Sequence, residues 1–166
     1  VQATTGASTL TAQYASDAGG RLIAMTYPSG AIVVYLRSSG RISRVDAIPS
    51  PGGTQVILAN NITYLPFGPL SGLSFGDGRS LTKVFDKNYG IDLISDSAST
   101  GLFEDYTLNA VGRVTGLTER VGGANISRAF GYDGLDRLTS HKNGSSVVES
   151  FKYDLSGDRT SKTVGT

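Results

Sequence analysis

The sequence predicts an all-β protein, built from tandem antiparallel β-hairpin repeats that form a curved strip or partial shell. Three observations predict it. One short pattern recurs along nearly the whole chain, β-branched and aromatic runs alternate with turn signals, and no stretch has the apolar spacing of an amphipathic helix. The pattern is an aromatic, one spacer, a second aromatic, then Asp, two residues, Gly or a polar substitute, Arg and an apolar residue. Phe130-Gly131-Tyr132-Asp133-Gly134-Leu135-Asp136-Arg137-Leu138 is its fullest copy, and Phe151-Lys152-Tyr153-Asp154-Leu155-Ser156-Gly157-Asp158-Arg159 follows it. A repeat of this length decides architecture before any single residue does, and it argues against a compact enzyme with one cleft.

Aligned on the Arg position, the copies fall at Arg21, Arg41, Pro69, Gly90, Arg113, Arg137 and Arg159, roughly 20 to 28 residues apart, within the range of stacked repeat proteins. Tyr14, Asp17, Gly20 and Arg21 keep most of the pattern. Gly40 and Arg41 remain where Asp and both aromatics are lost. Tyr106, Asn109, Gly112 and Arg113 carry Asn for Asp. Tyr64 and Gly68 mark a copy with Pro69 at the Arg position, and Phe85 and Asp86 mark the weakest.

Each copy reads as one β-hairpin. Phe130 and Tyr132, two apart, share a face of a strand. Asp133 ends that strand, because Asp opening a type I turn hydrogen-bonds the backbone two residues on. Gly at the fourth position, as in Asp17 to Gly20 and Asn109 to Gly112, takes the positive φ that a bulged hairpin needs. Arg and the apolar residue begin the return strand. The Arg is expected to hydrogen-bond or pair with a neighbouring repeat's Asp, as a ladder. Ala31-Ile32-Val33-Val34-Tyr35-Leu36 reads as strand. Pro28-Ser29-Gly30, Pro51-Gly52-Gly53, Asp77-Gly78, Gly122-Gly123 and Asn143-Gly144 read as turns between strands. Asp92 to Leu102 is the least strand-like piece, expected as a loop or irregular strand.

Composition narrows the function. The 166 residues suffice for one domain, and 22 Gly suit many turns. Net charge is +1 with no basic block, which speaks against nucleic acid as partner. No run of apolar residues is long enough to span a membrane, and the first residues lack a signal-peptide pattern. There is no Cys, so disulfides and thiolate metal sites are excluded.

Candidate chemistry resolves into structure. Asp133 with Asp136, and Asp154 with Asp158, have the composition of acid/base or metal pairs, yet each sits where the repeat turns. A hydrolase pair also needs an enclosing cleft and unequal environments. His141, the sole His, is expected at an exposed strand end; a catalytic dyad with Ser140 or Ser145 is the competing reading, but neighbours on a strand such as Ser140 point to the opposite face. Gly76-Asp77-Gly78 lacks the nine-residue repeat of calcium β-rolls and reads as a hairpin turn. Gly122-Gly123 lacks the residues of a phosphate loop. No catalytic, cofactor or metal residue is assigned. The recurring aromatics suit cross-strand packing, with a sugar-binding stripe as the competing reading.

The residues Tyr132-Asp133…Arg137-Leu138 and Tyr153-Asp154-Leu155-Ser156-Gly157-Asp158-Arg159-Thr160 resemble the YD-repeat family, also called Rhs repeats. Gly112-Arg113-Val114, Gly20-Arg21-Leu22 and Gly40-Arg41-Ile42 support the match. Tyr64-Leu65-Pro66-Phe67-Gly68-Pro69-Leu70 with Phe75-Gly76-Asp77-Gly78 looks like a family variant. The resemblance divides the chain into residues 1–13, an extra strand or edge segment, about seven YD-type hairpins over 14–163, and a C-terminal end at 164–166. It implies a hairpin strip that spirals into a hollow shell, holding a C-terminal toxic domain in bacterial Rhs proteins and Tc toxins, and adhesion in the related teneurins. The implied function is a structural segment of a secreted bacterial shell protein, without enzyme activity. Its partners would be adjacent repeats of a larger chain or another copy, and an enclosed toxin domain. The alternative is a cell-surface module binding glycan or protein. The family's self-cleaving core segment is not seen after Arg159, so neither self-cleavage nor toxicity is assigned to these residues.

Overall fold

A computed structural model describes residues 2–5 and 8–165. Val1, Gly6, Ala7 and Thr166, which belong to the terminal segments set apart above, lie outside the described residues. Among the described residues all regular structure is β-strand, and the chain forms two compact units, Val1–Leu81 and Thr82–Thr166.

In the first unit β1 (Gln2–Thr5) and β2 (Ser8–Thr11) pair with each other. Then β3 (Gln13–Ser16), β4 (Leu22–Thr26), β5 (Ile32–Ser38), β6 (Arg41–Ile48), β7 (Val56–Tyr64) and β8 (Leu70–Phe75) lie side by side in chain order, each antiparallel to the last. β9 (Ser80–Phe85) crosses the division between the units. In the second unit β10 (Ile91–Asp96), β11 (Phe103–Leu108), β12 (Val114–Val121), β13 (Ala124–Tyr132), β14 (Leu138–Asn143), β15 (Ser146–Tyr153) and β16 (Arg159–Val164) continue the same way. This is an all-β strip of antiparallel hairpins. Short connections full of Gly, Asp, Asn and Pro allow only this neighbour-to-neighbour order.

Each unit is therefore a meander with two edges of turns. In the first, the turns after β3, β5 and β7 share one edge, and those after β4, β6 and β8 share the other. In the second, the turns before β10 and after β11, β13 and β15 share one edge, and those after β10, β12 and β14 share the other. The Arg-aligned positions of the sequence all sit beside the first-named edge of their unit.

Asp92 to Leu102, expected as loop or irregular strand, is corrected in part. Ile91–Asp96 is β10, with Leu93 opposite Asp105 and Ile94 opposite Glu104. Half-buried Leu93 and Ile94 and the need to pair backbone groups outweigh the weak strand pattern. Only 97–102 is loop.

Among the described residues strands contact only their chain neighbours, so each unit is a single layer. Among the described residues no apolar side chain is buried, and Asp46 is the one buried polar residue. Its carboxylate accepts from Arg44 Nε at 2.7 Å and Gln55 Nε2 at 2.6 Å. The Arg44 guanidinium, aided by Gln55, holds the carboxyl below its usual value against the opposing effect of burial.

A depressed folded-state pKa contributes stability above the unfolded pKa, and that stability is lost as pH falls through the folded value. Asp17, Asp77, Asp133 and Glu149 are shifted the same way by amides or cations of their neighbours. The thermal midpoint should therefore be level between about pH 7 and 5 and drop below about pH 4. Asp46→Asn should lower the midpoint at neutral pH and make the acid limb shallower. Circular dichroism melts across pH check this, and an unchanged acid limb in the variant would contradict the role given to Asp46.

Candidate functional site

The structure's recurring feature is a turn closed by two backbone bonds. At Asp17, Tyr27, Leu65, Phe75, Asp86, Asn109, Asp133 and Asp154, the N–H of the first residue donates to the carbonyl of the fifth. The N–H of the fourth donates back to the carbonyl of the first. The fourth residue takes positive φ where it is Gly20 (76°), Gly112 (82°) or Gly157 (96°), and also where Tyr89 (64°) or Asp136 (66°) replaces Gly. In the Leu65 turn the positive φ falls one residue earlier, at Phe67 (56°), after Pro66.

Asp or Asn in first place holds these turns with its side chain. Asp133 Oδ1 accepts from the amides of Leu135 and Arg137, both at 3.0 Å, and Oδ2 from Arg137 Nε at 2.7 Å. The Arg137 amide, more than its guanidinium, holds the Asp133 carboxyl below the usual range. Asp17 repeats this with Gly19 and Arg21. Asp86 takes the amides of Asn88 and Gly90, and Asn109 those of Val111 and Arg113. Asp154 takes the amide of Asp158 at 2.9 Å. Asp158, and not Arg159, thus fills the fifth position, and Arg159 stands opposite Tyr153 where Leu138 stands opposite Tyr132.

Arg and Tyr join one hairpin to the next. Arg41 Nη1 donates to the carbonyls of Leu65 (3.0 Å) and Gly68 (3.3 Å) while its guanidinium lies over the Tyr64 ring at 5.1 Å. Arg137 lies over Tyr153 at 4.6 Å and donates to the Asp154 carbonyl at 3.0 Å. In return the Tyr hydroxyls reach back. Tyr64 donates to Ile42 O (3.0 Å), Tyr132 to Val114 O (2.8 Å) and Tyr153 to Leu138 O (2.8 Å). Arg37 stands in for the Tyr in the Arg41 copy and donates to Leu22 O at 3.3 Å. The expected Arg-to-neighbour-Asp ladder holds at one described step, Arg113 with Asp136. The carboxylates of Asp17 and Asp133 serve their own turns, and Arg41 and Arg137 meet the next turn's carbonyls.

The Arg41 copy departs from the others. Ser38 pairs with Arg41 across a two-residue turn, with positive φ at Ser39 (50°) and Gly40 (81°). That is the tight hairpin form that needs two such residues. Pro69 and Gly90 carry no guanidinium to pass on.

Three features escaped the sequence reading. First, the residue after the apolar position bulges out of each pairing defined on this edge: Ile23, Ser43, Ser71, Thr115, Thr139 and Thr160. Hydroxyls answer the disturbed ladder, as Thr115 Oγ1 donating to Thr107 O at 3.1 Å shows. The recurring Ser or Thr one or two residues beyond the Arg-aligned position was the available signal. Second, the opposite edge uses the same coupling. Arg120 lies over Phe103 at 5.2 Å and donates to Ala98 O (3.1 Å) and Gly101 O (3.4 Å). Third, Asp46 gave no sequence signal.

The candidate chemical residues are engaged in structure. Asp133 and Asp136 are held by Arg137 and Arg113. Asp77 binds its own Arg79. His141 is corrected from an exposed strand end to a half-buried place within β14. It stacks on Phe130 at 5.3 Å, with Nε2 3.4 Å from Arg128 Nη1 and Nδ1 4.0 Å from Glu149. Ser140 lies opposite Gly131 and His141 opposite Phe130, so the two share no face. Tyr106 donates to Glu104 at 2.6 Å, and that carboxylate pushes the phenol up to about 12. Among the described residues no group of three or more acidic or His side chains could hold a metal ion. Among the described residues no helix is long and apolar enough to cross a membrane. An apolar depression is lined by Tyr106, Val114, Leu117, Phe130, Tyr132 and Leu138.

These hairpins define a single-layer β-hairpin repeat fold. Solved structures share it. The fold is similar to TcdB2-TccC3, with TM-score 0.78 and 15% identity over 96% of this chain and 10% of that one. TcdB2-TccC3 without its hypervariable C-terminal region matches with TM-score 0.76 and 15% identity, over 96% and 9%. The Tc holotoxin pore of Photorhabdus luminescens matches with TM-score 0.75 and 16% identity, over 93% and 9%. The chain spans about a tenth of the length of these neighbours, and at such identity the likeness is one of fold. No family model and no curated protein matches the chain.

Tyr153→Phe keeps the ring under Arg137 and removes one hydrogen bond, so urea unfolding should show a loss of about 0.5–1.5 kcal/mol. Gly157→Ala, at φ 96°, should cost about 1 kcal/mol or more, whereas Gly134→Ala in the neighbouring turn should stay within about 0.5 kcal/mol. Equal losses at the two glycines would count against the turn geometry.

Proposed function

We propose that this chain is a non-enzymatic wall segment of a secreted bacterial hairpin-repeat shell that encloses or presents a toxin domain. The observation that carries this reading is the coupling itself. Hairpins are closed locally, and at Arg41 and Arg137 they are tied to the next by Arg, ring and Tyr hydroxyl. Such a strip extends by adding hairpins and forms no interior of its own. The likeness of fold to Tc toxin chains supports the same direction. The engaged state of the acidic residues and of His141 supports a structural role over a catalytic one. The wall would keep its guest apart from the producing cell until delivery, with neighbouring repeats as its immediate partners.

An immunoblot of source cells should find this segment in a native polypeptide many times heavier than 17.3 kDa. Limited proteolysis of that polypeptide should leave its guest region intact while the repeats are folded. A native species close to the mass of the segment alone would put surface binding or self-assembly in place of enclosure.

A further inference from the structure

Gly90 leaves one junction of the second unit, between the turns 86–90 and 109–113, without a guanidinium, and Leu108 stands where Tyr64 and Tyr153 precede other turns. The frame around it is otherwise that of the Arg137 junction. Both turns close with the same two backbone bonds as those at Asp133 and Asp154. Leu93 lies as far beyond Gly90 as Ser140 beyond Arg137. Leu93 pairs with Asp105, ahead of Asn109, at the offset at which Ser140 pairs with Ser150, ahead of Asp154. In the Arg137 junction one guanidinium bridges the two turns, Nε donating to Asp133 Oδ2 at 2.7 Å and Nη1 to Asp154 O at 3.0 Å. The equivalent acceptors here are Asp86 Oδ2 and Asn109 O, and Gly112 O matches Gly68 O, the second carbonyl that Arg41 meets. Asp86 uses Oδ1 for the amides of Asn88 and Gly90, and no donor among the described residues meets Oδ2. A depression of about 620 Å³ lies between the two turns, larger than those of about 400 and 330 Å³ beside Arg41. Asp92 adds a second carboxylate to its wall, and no Lys or Arg lines it.

We propose that this depression binds a guanidinium group from outside the chain, held by Asp86 Oδ2 and the carbonyls of Asn109 and Gly112 as Arg137 is held by Asp133 and Asp154. Two carboxylates alone would name no ligand. The filled copy does, because the same frame with the same acceptors there holds a planar cation whose forked donors reach a carboxylate and a carbonyl together. Leu108 supplies an apolar floor in place of the ring. That floor suits the weakly hydrated face of a guanidinium better than a compact, strongly hydrated ammonium. The source is an arginine side chain of another polypeptide segment or a free guanidino compound. The site is independent of the wall reading, since it exists whether or not the strip encloses a guest.

Amide chemical shifts of the isotope-labelled chain test it, in titrations with agmatine and with an acetylated, amidated Gly-Arg-Gly peptide. Saturable shifts are expected at Asn88, Gly90 and Gly112 with both. Tighter binding of the peptide assigns the site to a polypeptide partner, and equal binding assigns it to a free guanidino compound. The matching Gly-Lys-Gly peptide should bind about tenfold more weakly. Asp86→Asn keeps its turn, because Asn109 holds its own turn through two amides in the same way, and should weaken binding about tenfold by removing the charged acceptor. Gly90→Arg supplies the guanidinium from within, so it should abolish binding and raise the urea midpoint. Three results would overturn the proposal: no saturable shift with either ligand, equal affinity for the Lys peptide, or binding undiminished by Asp86→Asn or by Gly90→Arg. Should Asp86→Asn disturb amides elsewhere in the strip, binding retained by Gly90→Arg decides the matter alone.

Discussion

Everything in this strip depends on a guanidinium held between a ring and a turn of the next hairpin. A single layer of strands has no interior in which to collect apolar side chains, and none is buried among the described residues. Order must then come from contacts that reach sideways. Arg41 and Arg137 each lie on the ring that precedes the next turn and donate to that turn's carbonyls. Cation–π contact at such partly exposed sites contributes about 0.5–1 kcal/mol, and the fixed planar donors add direction. A Lys would supply the charge but not the flat, forked geometry. The Tyr hydroxyl closes the exchange by returning a bond to the first hairpin, so each junction is secured from both sides.

This arrangement explains why degenerate copies are tolerated. Pro69 and Gly90 break the chain of guanidinium groups, yet their turns keep the two closing backbone bonds. Asp86 still takes two amides, and Pro66 sets the backbone of the Leu65 turn. Losing one junction weakens one step and leaves the others intact, because each hairpin answers only to its neighbours. The small residues on the face away from the rings belong to the same economy. A Cβ at Gly131 would lie 2.6 Å from Ser140 Oγ, so a side chain there requires the Ser140 hydroxyl to turn away.

What was legible in the sequence is what is decided within five residues. Asp, Gly and the aromatic pair fix a turn and a strand face locally, and the repeat then dictates a meander. What was not legible depends on register between segments 15 to 27 residues apart, as with Arg37 on Leu22 and Arg41 on Gly68. The one-residue offset at Asp158 is of this kind, since Arg159 looks aligned until the Tyr153 pairing is known. So is Arg120, whose partners on the 97–102 loop follow from the β11–β12 ladder and from no motif. Asp46 was hidden for another reason. Its burial comes from the packing of Arg44 and Gln55 around it, and a lone Asp in a strand reads as solvent-facing.

One ladder makes both edges of each unit, yet the edges have diverged. The Arg, ring and carbonyl coupling appears on both, at Arg137 and at Arg120, so stability alone does not distinguish them. The difference lies in the turn tips, which touch nothing that holds the hairpin together. Val111, Leu135 and Leu155 add apolar surface where a polar residue would close the turn equally well, and exposed apolar surface in a chain without a core invites association.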